Sequence, residues 1–398
     1  MKRNYQIATA IYLLMLFYAS LFPFQGWRLP EAGLLAWLAP RFPGHVSRSD
    51  LLVNVIAYLP LGFLLQRLWE GRSGRGAALM LAVLCGLAFS LSMELSQSAL
   101  PSRVSSIVDL ITNTLGTASG ALAALLWQAS AAPAGWLGGS REKHLLPGPR
   151  AEAGLLVLGC WALSQLAPFV PSLDLGGIKN ALKPVWYTAH DLSLFDLPHA
   201  ATYWCNLAAL GIVARGSIRQ RSLPLALFLV FAAAVLSAKI FVLGRQLSLE
   251  ALSALPVAVL LWGAMCFLPE RVRGHAAVLL LLVGFAVYEL KPVAGAVATV
   301  ESFNWVPFRG QLARELSGFG TILEGLWPFA ALSLLLMVRT GSRLRGAAAG
   351  GVCVFAFVFA LEWQQITIPG RSADITQPLL ALAGWLAPLV YLRHEPAD

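Results

Sequence analysis

Glu94, Gln97 and Arg103 form a concentrated polar group in a 398-residue chain of which only 12% is charged. Glu94 and Gln97 stand three apart, so on a helix they share a face. Pro101 marks the end of that helix, and Arg103 follows it. The same Glu-x-x-Gln…Pro-x-Arg order recurs as Glu362, Gln365, Pro369 and Arg371. A carboxylate in apolar surroundings is costly unless it is paired or faces water, and such residues mark sites by default. The planar fork of an arginine suits a carboxylate or a phosphate. Glu94 with Arg103, and Glu362 with Arg371, therefore read either as ion pairs that lock helices together or as places where an anionic ligand is held.

More polar residues follow each arginine. Asp109 and Asn113 share a helix face after Arg103, while Asp374 stands three residues after Arg371. Superposed, the copies suggest Arg-x-x-Asp-x-x-Asp, each keeping one acid: Ser106 replaces Asp374, and Gln377 replaces Asp109. Asn54 and Tyr58 precede Pro60, whose ring loosens a helix and frees a carbonyl. The second copy keeps the proline as Pro328, but has Ile322 for Asn54 and carries Glu324 nearby. The candidate ligand-binding set is Asn54, Glu94, Gln97, Arg103, Asp109 and Asn113, with Glu362, Gln365, Arg371 and Asp374. Nothing in the sequence suggests a metal or a cofactor. His190 and His199 are single histidines in or beside a long connection (171–197), with no second ligand at metal spacing. Cys85, Cys160, Cys205, Cys266 and Cys353 lie singly in apolar segments and read as buried packing.

The elements that must position these residues are membrane helices. Hydrophobic residues make up 58% of the chain and the mean hydropathy is +0.69. The apolar residues fall in blocks of about 20, the length that crosses a hydrocarbon core as a helix. The spacing predicts an all-α, polytopic transmembrane bundle of about twelve spans, near 5–22, 51–68, 77–99, 106–128, 152–170, 198–214, 222–243, 249–268, 274–290, 318–338, 346–366 and 374–392. The net charge of +9 comes without a basic cluster interleaved with aromatics, so nucleic acid is not an expected partner. The basic residues gather instead in short loops on one side, from Lys2, Arg3, Arg67, Arg72 and Arg75 through Arg343, Arg345 and Arg393. By the positive-inside rule that side, with both termini, is cytoplasmic, and the polar motifs lie at the outer face.

Sliding the chain by 268 residues aligns 60–116 with 328–384 without a gap. Pro60, Arg75, Cys85, Glu94, Gln97, Pro101, Arg103 and Gly116 meet Pro328, Arg343, Cys353, Glu362, Gln365, Pro369, Arg371 and Gly384. Residues as scarce as Glu, Gln and Arg make this a repeat. A weaker middle copy has Leu236 at the Glu position, Lys239 at the Gln position and Arg245 after the span. Pro23-Phe24, Pro168-Phe169 and Pro307-Phe308 echo one another and read as helix ends at the interface. Three four-helix groups are expected: 1–130, 150–270 and 274–394.

The order Asp50, Asn54, Tyr58, Pro60, Gly62, then Glu94, Gln97, Pro101, Arg103, Asp109, Asn113 and Gly116, resembles the VanZ-like family of membrane proteins, named for a protein linked to teicoplanin resistance. The stretch 318–388 resembles it in part. The resemblance implies a compact multi-helix unit in the bacterial inner membrane and a role in the cell envelope, without an established biochemical activity. Taken with the outward-facing motifs, it points to a protein that binds an anionic or lipid-linked envelope component, such as a glycan lipid or a phospholipid headgroup, in the bilayer. In that reading Arg103 and Arg371 contact the phosphate or carboxylate and Glu94 and Glu362 orient them. An enzyme acting on a lipid-linked glycan and a secondary transporter are the competing readings.

Overall fold

The computed structural model describes residues 2–31, 33–38, 48–130, 143–172, 174–220, 223–293, 295–296, 302–312, 315–340 and 344–392. Among them are fourteen α-helices and no extended strand, only isolated bridges. The chain divides into two compact units, Met1–Gly139 and Ser140–Asp398.

The first unit holds α1 (Lys2–Leu21), α2 (Arg48–Ser73), α3 (Arg75–Gln97) and α4 (Ile107–Ser130). Between apolar helices in lipid there is little hydrophobic force, so contact distance and interhelical hydrogen bonds decide packing. Glycines bring α2 and α4 together. A Cβ on Gly62 would stand 1.8 Å from the Thr117 carbonyl oxygen, and one on Gly120 would stand 1.8 Å from that of Leu59. Pro60 sits inside α2, and Tyr12 of α1 donates to the Ala57 carbonyl (2.8 Å) in the turn that the proline loosens. Leu16, Tyr58, Leu61, Leu65, Ala82 and Ala121 form the core.

The second unit holds α5 (Pro149–Leu166), α6 (Leu175–His190), α7 (Leu197–Ser217), α8 (Pro224–Ala238), α9 (Leu249–Cys266), α10 (Glu270–Leu290), the single turn α11 (Arg309–Leu312), α12 (Glu315–Thr340), α13 (Leu344–Gln365) and α14 (Thr376–Leu392). One core runs through it, from Val157 and Trp161 through Trp262 and Phe285 to Phe329 and Trp385. Glycines again set the close approaches: Gly211 lies against the Trp262 ring and Gly384 against the Leu326 carbonyl.

Every one of the twelve expected spans coincides with a helix. Seven described helical stretches are long and apolar enough to cross a membrane: Leu51–Ser73, Arg75–Gln97, Pro224–Phe241, Leu249–Cys266, Glu270–Leu290, Gly318–Leu336 and Gly346–Gln365. The other five are shorter or more polar; α4 carries Asp109, Asn113 and three threonines, and α5 opens on Arg150 and Glu152. Large apolar side chains point outward, among them Leu84, Val230, Leu260, Phe267 and Val352. In water such a surface would invite aggregation; against lipid it is the surface of a membrane protein.

Four expectations need correction. The connection 171–197 contains α6, capped at its start by the Asp174 side chain, which accepts from Gly177 N–H (2.6 Å). Ala181 and Thr188 are buried while Leu175, Trp186 and Tyr187 are exposed; its short one-sided apolar pattern was too brief to read as a span. Hydrogen bonds from Ser172 and the Gly177 N–H hold the Asp174 carboxyl below the usual range. Cys266 and Cys353 are exposed rather than buried, since a small apolar side chain is equally at home against lipid. Pro23-Phe24 and Pro168-Phe169 do follow the ends of α1 and α5, but Pro307-Phe308 instead precedes α11, because α10 has already ended at Leu290. The fourth correction, to the ion pairs, belongs to the site. Of the basic residues used for orientation, Arg141, Arg221, Arg343 and Arg393 lie outside the described residues.

Candidate functional site

Glu94 lies in the last turn of α3, only 2% exposed. Its Oε2 accepts from the Ser106 backbone N–H (2.9 Å), and its backbone carbonyl accepts from Ser105 Oγ (2.7 Å). Ser106 stands just before α4, where its Oγ accepts from Val108 N–H (3.1 Å) as a cap would. The carboxylate thus ties the end of α3 to the start of α4. Gln97, one turn on, donates through Nε2 to the Ser20 carbonyl (2.9 Å) at the end of α1.

Arg103 serves α1 as well. Its Nε donates to the Phe22 carbonyl (3.0 Å) and its Nη2 to that of Ala19 (2.8 Å). The last carbonyls of a helix have no intrahelical partner and carry the negative end of the dipole, so a guanidinium laid across them is favoured. Burial lowers its pKa from the ordinary arginine value. Among the described residues Arg103 makes no ion pair with Glu94. The expected pair fails because backbone groups claim both partners.

Behind this rim the polar residues of α2, α3 and α4 meet. Asn54 Nδ2 donates to Asp109 Oδ1 (2.9 Å) and Asn113 Nδ2 to Ser90 Oγ (3.0 Å). Asn113 is 5% exposed, and its Oδ1 is buried without a hydrogen-bond partner.

The second unit repeats the rim. Glu362, 1% exposed, accepts at Oε2 from the Asp374 backbone N–H (2.7 Å), the counterpart of the Glu94–Ser106 bond. Arg371 donates through Nε to the Lys291 carbonyl (2.9 Å) and through Nη2 to that of Tyr288, across the end of α10. Its acid is Glu289 (Nη1 to Oε2, 3.9 Å), and no pair with Glu362 forms. Gln365 Nε2 bridges the two carboxylates, at 2.8 Å from Glu289 Oε2 and 3.4 Å from Glu362 Oε1.

A third fork stands between α8 and α9. Arg245 donates through Nε to the Ala167 carbonyl and through Nη2 to that of Ser164 (3.0 Å), at the end of α5. In all three forks the two carbonyls are three residues apart. Lys239, at the Gln position, faces Gln165 Oε1 (3.5 Å) as Gln97 faces Ser20 and Gln365 faces Glu289. Leu236, at the Glu position, is fully buried.

These bonds revise the reading of the acids. Asp374 Oδ1 accepts from the Thr376 N–H (2.8 Å), two residues on, as Ser106 Oγ accepts from Val108. Serine and aspartate are interchangeable helix caps, so this difference is not a lost member of an acid pair. Asp109 has a separate partner, Asn54; where Asn54 becomes Ile322, Asp109 becomes Gln377. Within the first unit the structure joins Asn54 with Asp109, Glu94 with the α4 start, and Arg103 and Gln97 with α1; within the second it joins Glu362 with Gln365 and the Asp374 N–H. Sequence reasoning missed Glu289, Gln165 and Tyr203, the last of which accepts at Oη from Lys239 Nζ (3.1 Å). Glu289 had a signal, being an acid near the end of a span two residues before Lys291; the neutral pair had none.

The family model described as VanZ/LLP1 matches residues 6–128, which lie within the first unit. No curated protein and no solved structure matches the chain.

Proposed function

Starting from the VanZ-like character of the first unit, we propose that this multi-pass membrane protein holds an anionic headgroup, of a phospholipid or a lipid-linked glycan, at the outer interface of the bacterial inner membrane. The observation that carries the reading is the state of Arg103. The guanidinium is oriented by two α1 carbonyls, it is half-buried, and among the described residues no carboxylate neutralises it. A guanidinium has five N–H donors, so three remain for ligand oxygens. Arg371 differs, because Glu289 already faces it; ligand binding therefore centres on the first unit, and Arg371 with Glu362 braces the second. Three four-helix groups, 1–130, 150–270 and 274–394, are inferred on the support of the three arginine forks. Both termini are assigned to the cytoplasm, on the support of Arg72, Arg75, Lys143, Arg215, Arg219, Arg271 and Arg273 at the helix ends opposite the forks.

The test is retention of an anionic lipid by the purified protein, compared in Arg103→Ala and Arg103→Lys variants. Alanine removes charge and fork, and binding should fall by at least about tenfold, the equivalent of ~1.4 kcal/mol. Lysine keeps the charge and should recover part of it. Wild-type binding in both variants refutes the reading.

One observation favours a carrier as the second reading. Glu94, Asp109 and the unpartnered Asn113 Oδ1 place acceptors inside the helix bundle, where transporters keep their coupling groups. Substrate-linked proton flux in liposomes that vanishes in Glu94→Gln would favour it.

A further inference from the structure

At the middle fork the charge pattern of the other two is inverted. Where they have a buried glutamate the chain has Leu236, and where they have glutamine it has Lys239. Lys239 is 5% exposed. Its Nζ donates to Tyr203 Oη (3.1 Å) and, at the limit of hydrogen-bond distance, to Gln165 Oε1 (3.5 Å); it also stands 5.4 Å from the Tyr203 ring centroid. Among the described residues no carboxylate lies within ion-pair distance of it. Arg245 is close by, since its Nη2 holds the carbonyl of Ser164, the residue before Gln165. The acid facing this pair is Glu324 of α12, with Oε1 3.9 Å from Arg245 Nη2. That is an electrostatic contact, too long for a direct hydrogen bond.

Among the described residues three other acids are engaged. Glu250 accepts from the Asp196 N–H (3.0 Å), Asp196 pairs with Lys291, and Glu289 faces Arg371. A buried ammonium with only neutral acceptors is expensive unless something compensates it. The end of the α5 dipole, which holds Arg245, supplies part of that compensation. The side chains of Arg245 and Glu324 are 27% and 32% exposed, so they form the rim, with Lys239 behind them.

We propose that Lys239, Arg245 and Tyr203 form a second anion site, for a phosphate or carboxylate group, which Glu324 occupies as a displaceable internal counter-ion. An incoming anion replaces Glu324 at the unclaimed N–H groups of Arg245 and takes the third N–H of Lys239. No covalent step is involved. The site is built from residues of the second unit alone and does not depend on the reading given to Arg103.

The experiment uses the full-length protein in detergent, titrated with inorganic phosphate, phosphatidylglycerol or phosphatidylcholine and read by native mass spectrometry. Lys239→Met keeps the buried stem and removes the charge, and should weaken the anion by about tenfold, or ~1.4 kcal/mol. Glu324→Gln removes the competitor and should strengthen it roughly threefold, within the range of a partly exposed pair. Misfolding cannot produce that second result. Phosphate binding with this pattern assigns a soluble anion, and phosphatidylglycerol binding without phosphate binding assigns a lipid headgroup. If neither binds, if phosphatidylcholine binds equally well, or if both variants bind as wild type, the proposal is overturned.

Discussion

Asp374 offers a direct test of whether the acids that differ between the copies do chemistry or hold helices. Its Oδ1 accepts from the Thr376 N–H (2.8 Å) and from the Thr376 hydroxyl, while its own N–H donates to Glu362 (2.7 Å). The last bond is made by backbone and survives any side chain. Replacing Asp374 by alanine removes the cap, which costs about 1 kcal/mol. It also leaves the O–H of Thr376, a buried group whose oxygen still accepts from the Phe308 N–H (2.8 Å), without its acceptor, for about another 1–3 kcal/mol. Asp374→Ala should therefore lose roughly 2–4 kcal/mol. Asp374→Ser restores the arrangement of Ser106 in the first unit and should lose only the interaction of a negative charge with the helix start, ~0.3–1 kcal/mol. Thermal unfolding in detergent, followed by circular dichroism, ranks the variants as wild type, serine, then alanine, with alanine well separated. Anionic-lipid retention, which centres on the first unit, should be unchanged in Asp374→Ser. If Asp374→Ser melts like the wild type yet binds no lipid, the carboxylate does more than cap a helix, and the reasoning fails.

Other perturbations follow from the same contacts. Gly120→Ala places a Cβ 1.8 Å from the Leu59 carbonyl oxygen, where backbone must move, and should lower stability by ~1–3 kcal/mol; Gly76→Ala, with nothing within 4 Å, should leave the melting temperature unchanged or slightly raised. The Asp196 carboxyl is pushed up by burial, but hydrogen bonds from Lys291 and the His199 N–H more than offset this and hold it below its ordinary value. Its contribution is then present above the unfolded-state value of about 3.9 and is lost as pH falls through the lower folded value. The melting difference between wild type and Asp196→Asn should accordingly be largest near neutrality and disappear in acid. Single cysteines at Val104, which is 85% exposed, and at Arg72, placed on a background without native cysteines, should react with an impermeant thiol reagent from opposite faces of the membrane; labelling of both from one face contradicts the assigned topology.

Much of this architecture is legible along the chain because it rests on local pattern. Apolar blocks of the length that spans a bilayer specify helices whatever they pack against, and all twelve appear. The repeat is legible for a similar reason: Glu94, Gln97 and Arg103 are scarce in such a composition, so their return as Glu362, Gln365 and Arg371 is visible without structure. Helix α6 was hidden because sixteen residues with one apolar face and Pro184 inside are neither a span nor an ordinary loop.

Partner choice is a different matter, since it depends on which groups the fold brings within reach. Glu94 and Arg103 look like an ion pair in sequence because they are opposite charges a few residues apart. In three dimensions the end of α1 presents carbonyls to Arg103, and the start of α4 presents an N–H to Glu94. Those backbone groups have no other partners, so they take the side chains that proximity in sequence had assigned to each other. For the same reason Asp374 becomes a cap, Arg371 meets Glu289 from another helix, and Lys239 is left with a tyrosine and a glutamine. The sequence alone determined that this is a helical membrane protein repeating Glu-x-x-Gln…Pro-x-Arg. Packing settles which charges are spent on helix ends and which remain for a ligand, because helix ends up to 84 residues away in sequence supply the competing hydrogen-bond partners.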